Sequence, residues 1–401
     1  MRKVLFVDTW SKGRFFTDTT AQIFKEAGYQ VDYLHADNFY GIVDGVHSLG
    51  PYDSFTDLDS YNMSIVKAMA DIKPDIVIFI SMHGVFHRWV NLICEKLSIP
   101  TLFYMHGVRF ESKQIGSSRK KTVKELLSRG VFYSRHWWLC MRDNLRLTSV
   151  FNLPWGGFLS SYLEMILQNR QFSFSPRVKW GLKFETVCIN TEDDKQFFSK
   201  FIGEYRPKEF VISGNMSSRR AALNSLKIRN KKKEKILFIS QPLISAGYID
   251  LDTYIQSIKI LDSFFSKNHY GKLEVRFHPR DDESFKQAVI DMGICCSINE
   301  DFAEDLAETS LVIGFNSSAL LGCTDIGMPV VGFEFGNIPL LSCLNRSECY
   351  TELNFIDESC DTELSAFIST VANIKRNFTR IEYSEDIIIS HADKIIGDWL
   401  K

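Results

Sequence analysis

With 401 residues, 45% of them hydrophobic and 24% charged, the chain has a soluble, globular composition and is longer than one hydrophobic core usually covers, so two domains are expected. A formal net charge of -2 excludes a general nucleic-acid binder, because neutralising a phosphate backbone needs a large cationic excess. Nine cysteines, with no CxxC pair and with Cys295 beside Cys296, point to unbridged thiols in a reducing compartment, and neither to a disulfide framework nor to a zinc site.

The opening MRKVLFVDTW carries a short apolar run and then a polar loop, which reads as a first strand and not as a signal peptide. A helix around Thr20 to Ala27 closed by Gly28 follows, then the strand YQVDYLH, the strand DIVIFIS from Asp75, a helical stretch to Lys96 and the strand PTLFYMHG. Alternation of helices with near-continuous apolar strands predicts a parallel sheet covered on both faces. From Gly181 the pattern weakens into the short strands ETVCIN and EFVISG, and the basic, poorly periodic stretch SSRRAALNSLKIRNKKKEK reads as a linker. A second alternation runs through KILFIS, a helix from about Asp252, KLEVRFHP, a helix from about Glu283, SLVIGFNSSALL and MPVVGFE. The terminal EDIIISHADKIIGDWLK has helical spacing and predicts a closing helix. No apolar run reaches the length of a membrane span. The expected division is 1–215 as an N-terminal Rossmann-like domain, 216–234 as linker, 235–380 as a second Rossmann-like domain and 381–401 as the closing helix.

In open parallel sheets ligands sit beyond the carboxyl ends of the strands. Five polar groups stand there: Asp8 after VLFV, His83 after IVIFIS, His106 after TLFYM, His278 after LEVRF, and Ser317 with Ser318 after LVIGF. Asn316, Ser317 and Ser318 lead into a helix. Side-chain capping of its first amides accounts for such residues, and so does anion binding at the same amides with serine hydroxyls as added donors. His278 is followed by Pro279, which ends the strand; the ring either caps backbone groups or donates to a nucleotide phosphate. Taken together with the serines, anion binding is the expectation.

FHP followed roughly forty residues later by GFNSSALL resembles the paired HP and SS motifs of bacterial sialyltransferases and related polysaccharide-assembly enzymes of GT-B architecture, over most of the second domain. The resemblance implies an α/β GT-B fold, two Rossmann-like domains facing across a cleft. It implies a CMP-activated donor whose phosphate meets His278, Pro279, Asn316 and Ser317 or Ser318, with inversion at the anomeric carbon. A nonulosonic acid such as sialic acid or Kdo would pass to an oligosaccharide or glycolipid acceptor of a bacterial lipopolysaccharide or capsule. The acidic pair followed by glycine that supplies the base in those sialyltransferases has no equivalent here, Val43–Asp44–Gly45 having one acid and falling too early. CDP-glycerol polymerases of teichoic acid synthesis pair a first-domain HG with a later HP; on that likeness His106 is the base, with Asp8 and His83 as competitors. The paired glutamates of retaining UDP- or GDP-sugar enzymes are missing from SSALLGCTDIG. A transferase using a UDP-sugar or CDP-glycerol, or a catalytically idle GT-B scaffold, remains the alternative.

No cofactor is expected and no metal, because hydrogen-bond donors alone can stabilise a leaving phosphate. Asp57 with Asp59, and Asp250 with Asp252, mimic a DxD metal motif, yet each pair precedes a helix whose amides acids cap. Between Arg109 and Arg146 cations gather among Phe132, Tyr133, Trp137 and Trp138. That stretch is either a solvated helical face or a surface for an anionic glycolipid or membrane, which would place a cytoplasmic protein at the inner face of the membrane. Lys12, Gly13 and Arg14 after the first strand are candidates for holding donor or acceptor, or form a plain surface turn.

Overall fold

The computed structural model describes residues 1–9, 11, 14, 17–37, 49–81, 85–105, 134, 138, 141–143, 145–147, 183–195, 207–228, 235–245, 247–338, 340–372 and 379–399. Their strands form two sheets, parallel throughout, in two compact units. Met1–His106 and Arg119–Gly214 with Ser384–Lys401 make the first, and Asn215–Tyr383 the bulk of the second.

In the first unit the strands are β1 (Lys3–Val7), β2 (Gln30–His35), β3 (Ser54–Asp57), β4 (Ile76–Phe79), β5 (Thr101–Tyr104), β6 (Thr186–Ile189) and β7 (Glu209–Ile212), in the order β3-β2-β1-β4-β5-β6-β7. β4 and β5 are buried at every position, which is why they read as unbroken apolar runs and not as alternation. Helices α1 (Asp18–Glu26), α2 (Ile65–Ile72) and α3 (Val85–Lys96) pack around this sheet. α1 stops where Gly28 takes φ +85°, a left-handed conformation that glycine adopts without strain. Ser64 caps α2 by accepting from the Lys67 amide at 3.3 Å. Phe86, Trp89, Val90 and Ile93 of α3 share one core cluster with Val77, Phe79 and Phe103.

The second unit runs α4 (Met216–Lys227), β8 (Lys235–Ile239), α5 (Leu251–Asn268), β9 (Lys272–Arg276), α6 (Glu283–Asp291), β10 (Cys295–Cys296), α7 (Phe302–Glu308), β11 (Thr309–Gly314), α8 (Ala319–Asp325), β12 (Val330–Phe333), β13 (Tyr350–Leu353) and α9 (Cys360–Ala372); the last helix of the chain, α10 (Thr379–Trp399), follows. Sheet order is β10-β9-β8-β11-β12-β13. Asp250 and Asp57, the first acids of the two DxD-like pairs, both serve as helix caps: Asp250 accepts from the Thr253 amide at 2.8 Å and Asp57 from the Asp59 amide at 2.7 Å.

One expectation changes. Residues 216–227, expected as linker, form α4, which packs on α7 and α8 within the second unit. The helical face was hidden because, after Met216 in its first turn, its buried positions Ser218, Ala222 and Ser225 are all small. Small residues are needed there: a Cβ on Gly322 of α8 would sit 2.4 Å from the Ser218 carbonyl, so the two backbones nearly touch. The chain's last helix groups with the first unit, where Asp393 accepts from Arg2 and Tyr29, and Lys394 meets Glu209 at 3.2 Å. Among the described residues no helix is long and apolar enough to cross a membrane.

Candidate functional site

Both sheets reverse their direction of growth once. In the second the chain builds from β8 to β9 and β10, then returns to the other side of β8 with β11, so the loops leaving β8 and β11 part at their carboxyl ends and open a crevice there. Ile239, the last residue of β8, pairs with Arg276 on one side and Gly314 on the other. Three chain ends therefore lie level: Ser240–Gln241 in the middle, Phe277–His278 one strand away, Phe315–Ser318 one strand away on the opposite side. At about 4.8 Å per strand, the outer two are separated by about 10 Å. The imidazole and the serine pair thus occupy one edge of one sheet.

Hydrogen bonds knit these ends together. The His278 amide donates to Ser240 Oγ at 2.8 Å and to Asp281 Oδ2 at 2.7 Å, and Ser240 Oγ donates to the same carboxylate oxygen. Pro279 follows at a position that suits its fixed φ, and the turn closes when the Asp281 amide donates to the His278 carbonyl at 2.9 Å. The exposed Pro279 offers no donor; its contribution is this turn. The Arg280 amide donates to His278 Nδ1 at 3.0 Å, so the neutral ring carries its proton on Nε2. Nε2 has no partner among the described residues. Burial first, and the Arg280 charge second, push the imidazole down to about 4, leaving it a neutral N–H donor at pH 7 unless an anion binds. Burial raises the Asp281 carboxyl against the hydrogen bonds that it accepts.

On the other flank the Asn316 amide donates to Gln241 Oε1 at 3.3 Å. Asn316 is 5% exposed, and its Nδ2 is buried without an acceptor. Ser317 Oγ accepts from the Ala319 amide at 3.3 Å, the cap that its position predicts, whereas Ser318 makes no side-chain cap bond. The helix that they open has only seven residues, so its dipole adds little, and the side-chain donors matter more. Among the described residues His278 Nε2, Asn316 Nδ2 and Ser318 Oγ are donors without protein acceptors on one edge, a set suited to phosphate oxygens. Ser240, Gln241 and Asp281 were missed in the sequence, although Ser240 and Gln241 follow the apolar KILFI as His278 follows LEVRF.

In the first unit the reversal falls between β1 and β4. Asp8 stands at the end of β1, and its Oδ1 accepts from the Thr9 amide at 2.6 Å and lies 3.2 Å from His87 Nε2. His87 is on α3, the helix after β4; it is 3% exposed, and its Nδ1 is buried without a partner. With Nε2–H given to the carboxylate, Nδ1 holds a lone pair, as a proton acceptor requires. The sequence reading overlooked His87 because it lies inside a helix and not at a strand end. Asn190, following β6, is buried with neither amide atom partnered.

His83 and His106 lie outside the described residues, as do Lys12, Gly13, Val43–Asp44–Gly45 and most of the basic stretch from Arg109. Arg14 is buried, with Asp18 3.9 Å away, and so is no plain surface turn. Of that basic stretch, Arg142 and Arg146 face the fully buried Asp143, which also accepts from Ser64 Oγ at 3.0 Å.

No family model matches the chain, and no curated protein does. Solved structures resemble it at the level of fold. A putative UDP-N-acetylglucosamine 2-epimerase from Listeria monocytogenes is 11% identical with a TM-score of 0.56, over 98% of this chain and 97% of that one. The wall teichoic acid polymerase TagF, soaked with CDPG, is 11% identical with a TM-score of 0.51, over 100% and 89%. Sucrose-phosphate synthase from Thermosynechococcus elongatus is 9% identical with a TM-score of 0.51, over 99% and 100%. With the two parallel sheets, these likenesses establish an α/β fold of two Rossmann-like units, the GT-B fold.

Proposed function

We propose that this chain is a group-transfer enzyme of the glycosyltransferase kind, which binds a nucleotide-activated donor by its phosphate at the carboxyl edge of the second sheet. The observation that carries the reading is the set of donors with no protein acceptor among the described residues, the buried Asn316 Nδ2 with His278 Nε2 and Ser318 Oγ, on chain ends held by Ser240, Asp281 and Gln241. With a nucleotide sugar the carbon–oxygen bond to phosphate breaks as the acceptor oxygen bonds to that carbon; with CDP-glycerol the phosphoanhydride P–O bond breaks as the acceptor oxygen bonds to the phosphorus that carries glycerol; in both the charge left on the departing nucleotide phosphate is met by those N–H and O–H groups. A neutral His278 serves here as a hydrogen-bond donor and does not need to surrender its proton.

Among the described residues, His87 is the proposed proton acceptor. Asp8 fixes its tautomer, and the acceptor hydroxyl's proton passes to Nδ1, directly or through a water. The CMP-activated nonulosonic acid is one donor that fits. UDP-sugars and CDP-glycerol fit the same uncharged donor set, and we favour them, since UDP-N-acetylglucosamine and CDPG are the nucleotides named for two of the neighbours. An oligosaccharide or glycolipid acceptor is part of this proposal. Calorimetry with CMP, CDP and UDP in turn tests it: at least one binds, and His278→Ala weakens that one by at least about tenfold, the size of one lost charge-assisted contact. Failure of all three to bind would remove the reading.

A further inference from the structure

The Gln241 side chain bridges the chain ends that leave β8 and β11. Gln241 Oε1 accepts from the Asn316 amide at 3.3 Å. An amide N–H can only donate, so this contact decides which of the two Gln241 side-chain atoms is oxygen. The Gln241 Nε2 is thereby turned off that backbone, and its two N–H groups meet no acceptor among the described residues.

The backbone of Gln241 is held with equal care. The Tyr254 hydroxyl accepts from the Gln241 amide at 2.9 Å and donates to the Gln241 carbonyl at 3.1 Å, taking both backbone groups of one residue. Tyr254 itself is 1% exposed and stacked on Phe285 at 4.1 Å. Burial raises its phenol far above the ordinary range, so it keeps the proton that it donates. β8 has already ended at Ile239, so the clamp does not belong to the sheet ladder. Beside it, the buried Asn316 Nδ2 lacks any acceptor. Such a group is costly to leave unpaired, and the cost is relieved when a ligand brings an oxygen.

We infer that Gln241 is a phosphate-binding residue of the donor site, its Nε2–H and the Asn316 Nδ2–H donating to non-bridging oxygens of the leaving phosphate, with Tyr254 as the positioning residue. The inference rests on the nucleotide reading above and extends it to the centre of the sheet edge. A phosphate offers acceptors alone, and its several non-bridging oxygens can take both N–H groups at once.

The test compares three nucleotides (CMP, CDP, UDP) with the matching nucleosides (cytidine, uridine) by ligand-observed NMR titration. Gln241→Glu keeps an oxygen for the Asn316 amide but replaces the donor by a negative charge. It is expected to weaken the nucleotide that binds by more than about thirtyfold, with nucleoside binding unchanged. Gln241→Met, which removes the donor without adding charge, is expected to cost about tenfold, and it carries the test should the Glu variant not fold. Tyr254→Phe keeps the stacking and frees the backbone, and is expected to cost about three- to tenfold in nucleotide affinity alone. Nucleotide affinity unaltered in Gln241→Glu while His278→Ala weakens it would overturn the inference and leave the nucleotide site standing. Equal losses for nucleoside and nucleotide would overturn it too, by placing Gln241 in the frame and not on the phosphate. If the unaltered protein binds none of the three nucleotides, both readings fall together.

Discussion

Acidification should draw stability from the protein through His278, and by a predictable amount. In the unfolded chain the ring takes up a proton as the pH falls through its ordinary value of 6.5; in the fold, burial and the Arg280 charge delay this to about 4. Between those values the unfolded state binds more protons, so stability present above about 6.5 is lost as the pH falls toward about 4. Linkage across the full interval gives about 2.4 kcal/mol between pH 7 and pH 4.5. The ring is half-buried and screened in part by solvent, which leaves about 1–2 kcal/mol. Asp281 works in the opposite sense, because its raised pKa lets the fold bind a proton before the unfolded chain does. The measurement is therefore a difference. His278→Asn keeps an acceptor for the Arg280 amide and removes the titration. Urea unfolding of both proteins at the two pH values should show the unaltered protein losing about 1–2 kcal/mol more than the variant. Parallel losses would refute the argument that the fold withholds the proton from this ring.

Gly322→Ala places a Cβ 2.4 Å from the Ser218 carbonyl carbon and oxygen, backbone atoms that cannot swing aside; despite the better helix propensity of alanine it should cost about 1–3 kcal/mol in urea unfolding. Asp305 is fully buried and accepts from Arg276, from Ser297 Oγ at 2.7 Å and from Asn299 Nδ2 at 2.7 Å. Asp305→Ala leaves the guanidinium uncompensated and should cost about 3–5 kcal/mol by the same method, Asp305→Asn distinctly less. Asp8→Asn removes the carboxylate that holds the His87 tautomer. Donor turnover should fall by about a hundredfold while nucleotide affinity stays within twofold, and an unchanged turnover rate would remove His87 and Asp8 from the chemistry.

The parallel sheets were legible because a strand buried on both faces must be apolar throughout, as IVIF and TLFY are. The strand-end positions of Asp8, His278 and Ser317 were legible for the complementary reason, that a polar residue placed directly after such a run marks the carboxyl edge. What stayed hidden depends on neighbours far along the chain. α4 read as linker because its contact face is Ser218, Ala222 and Ser225, and only Gly322, about a hundred residues on, shows why nothing larger fits. His87 read as helix because its partner Asp8 comes from another strand. Gln241 carried no signal of its own beyond its place after KILFI, since its fixed orientation is given by Asn316 and Tyr254, from two other elements. Periodicity reports which face a residue occupies, and it is silent on which residue meets it there.

The two sheet edges differ in electrostatic kind. At the first, the Asp8 carboxylate lies against the His87 imidazole, and its negative charge disfavours an approaching anion. At the second, Asp281 turns its Oδ2 onto the Ser240 hydroxyl and the His278 amide, where it locks the turn, and neutral donors lie on the edge. A ligand phosphate at that edge would meet N–H and O–H groups; placed beside Asp8 it would meet repulsion. The proposed place for a phosphate at the edge of the second unit rests on the sign of what that edge presents, independently of which sugar or polyol the nucleotide carries.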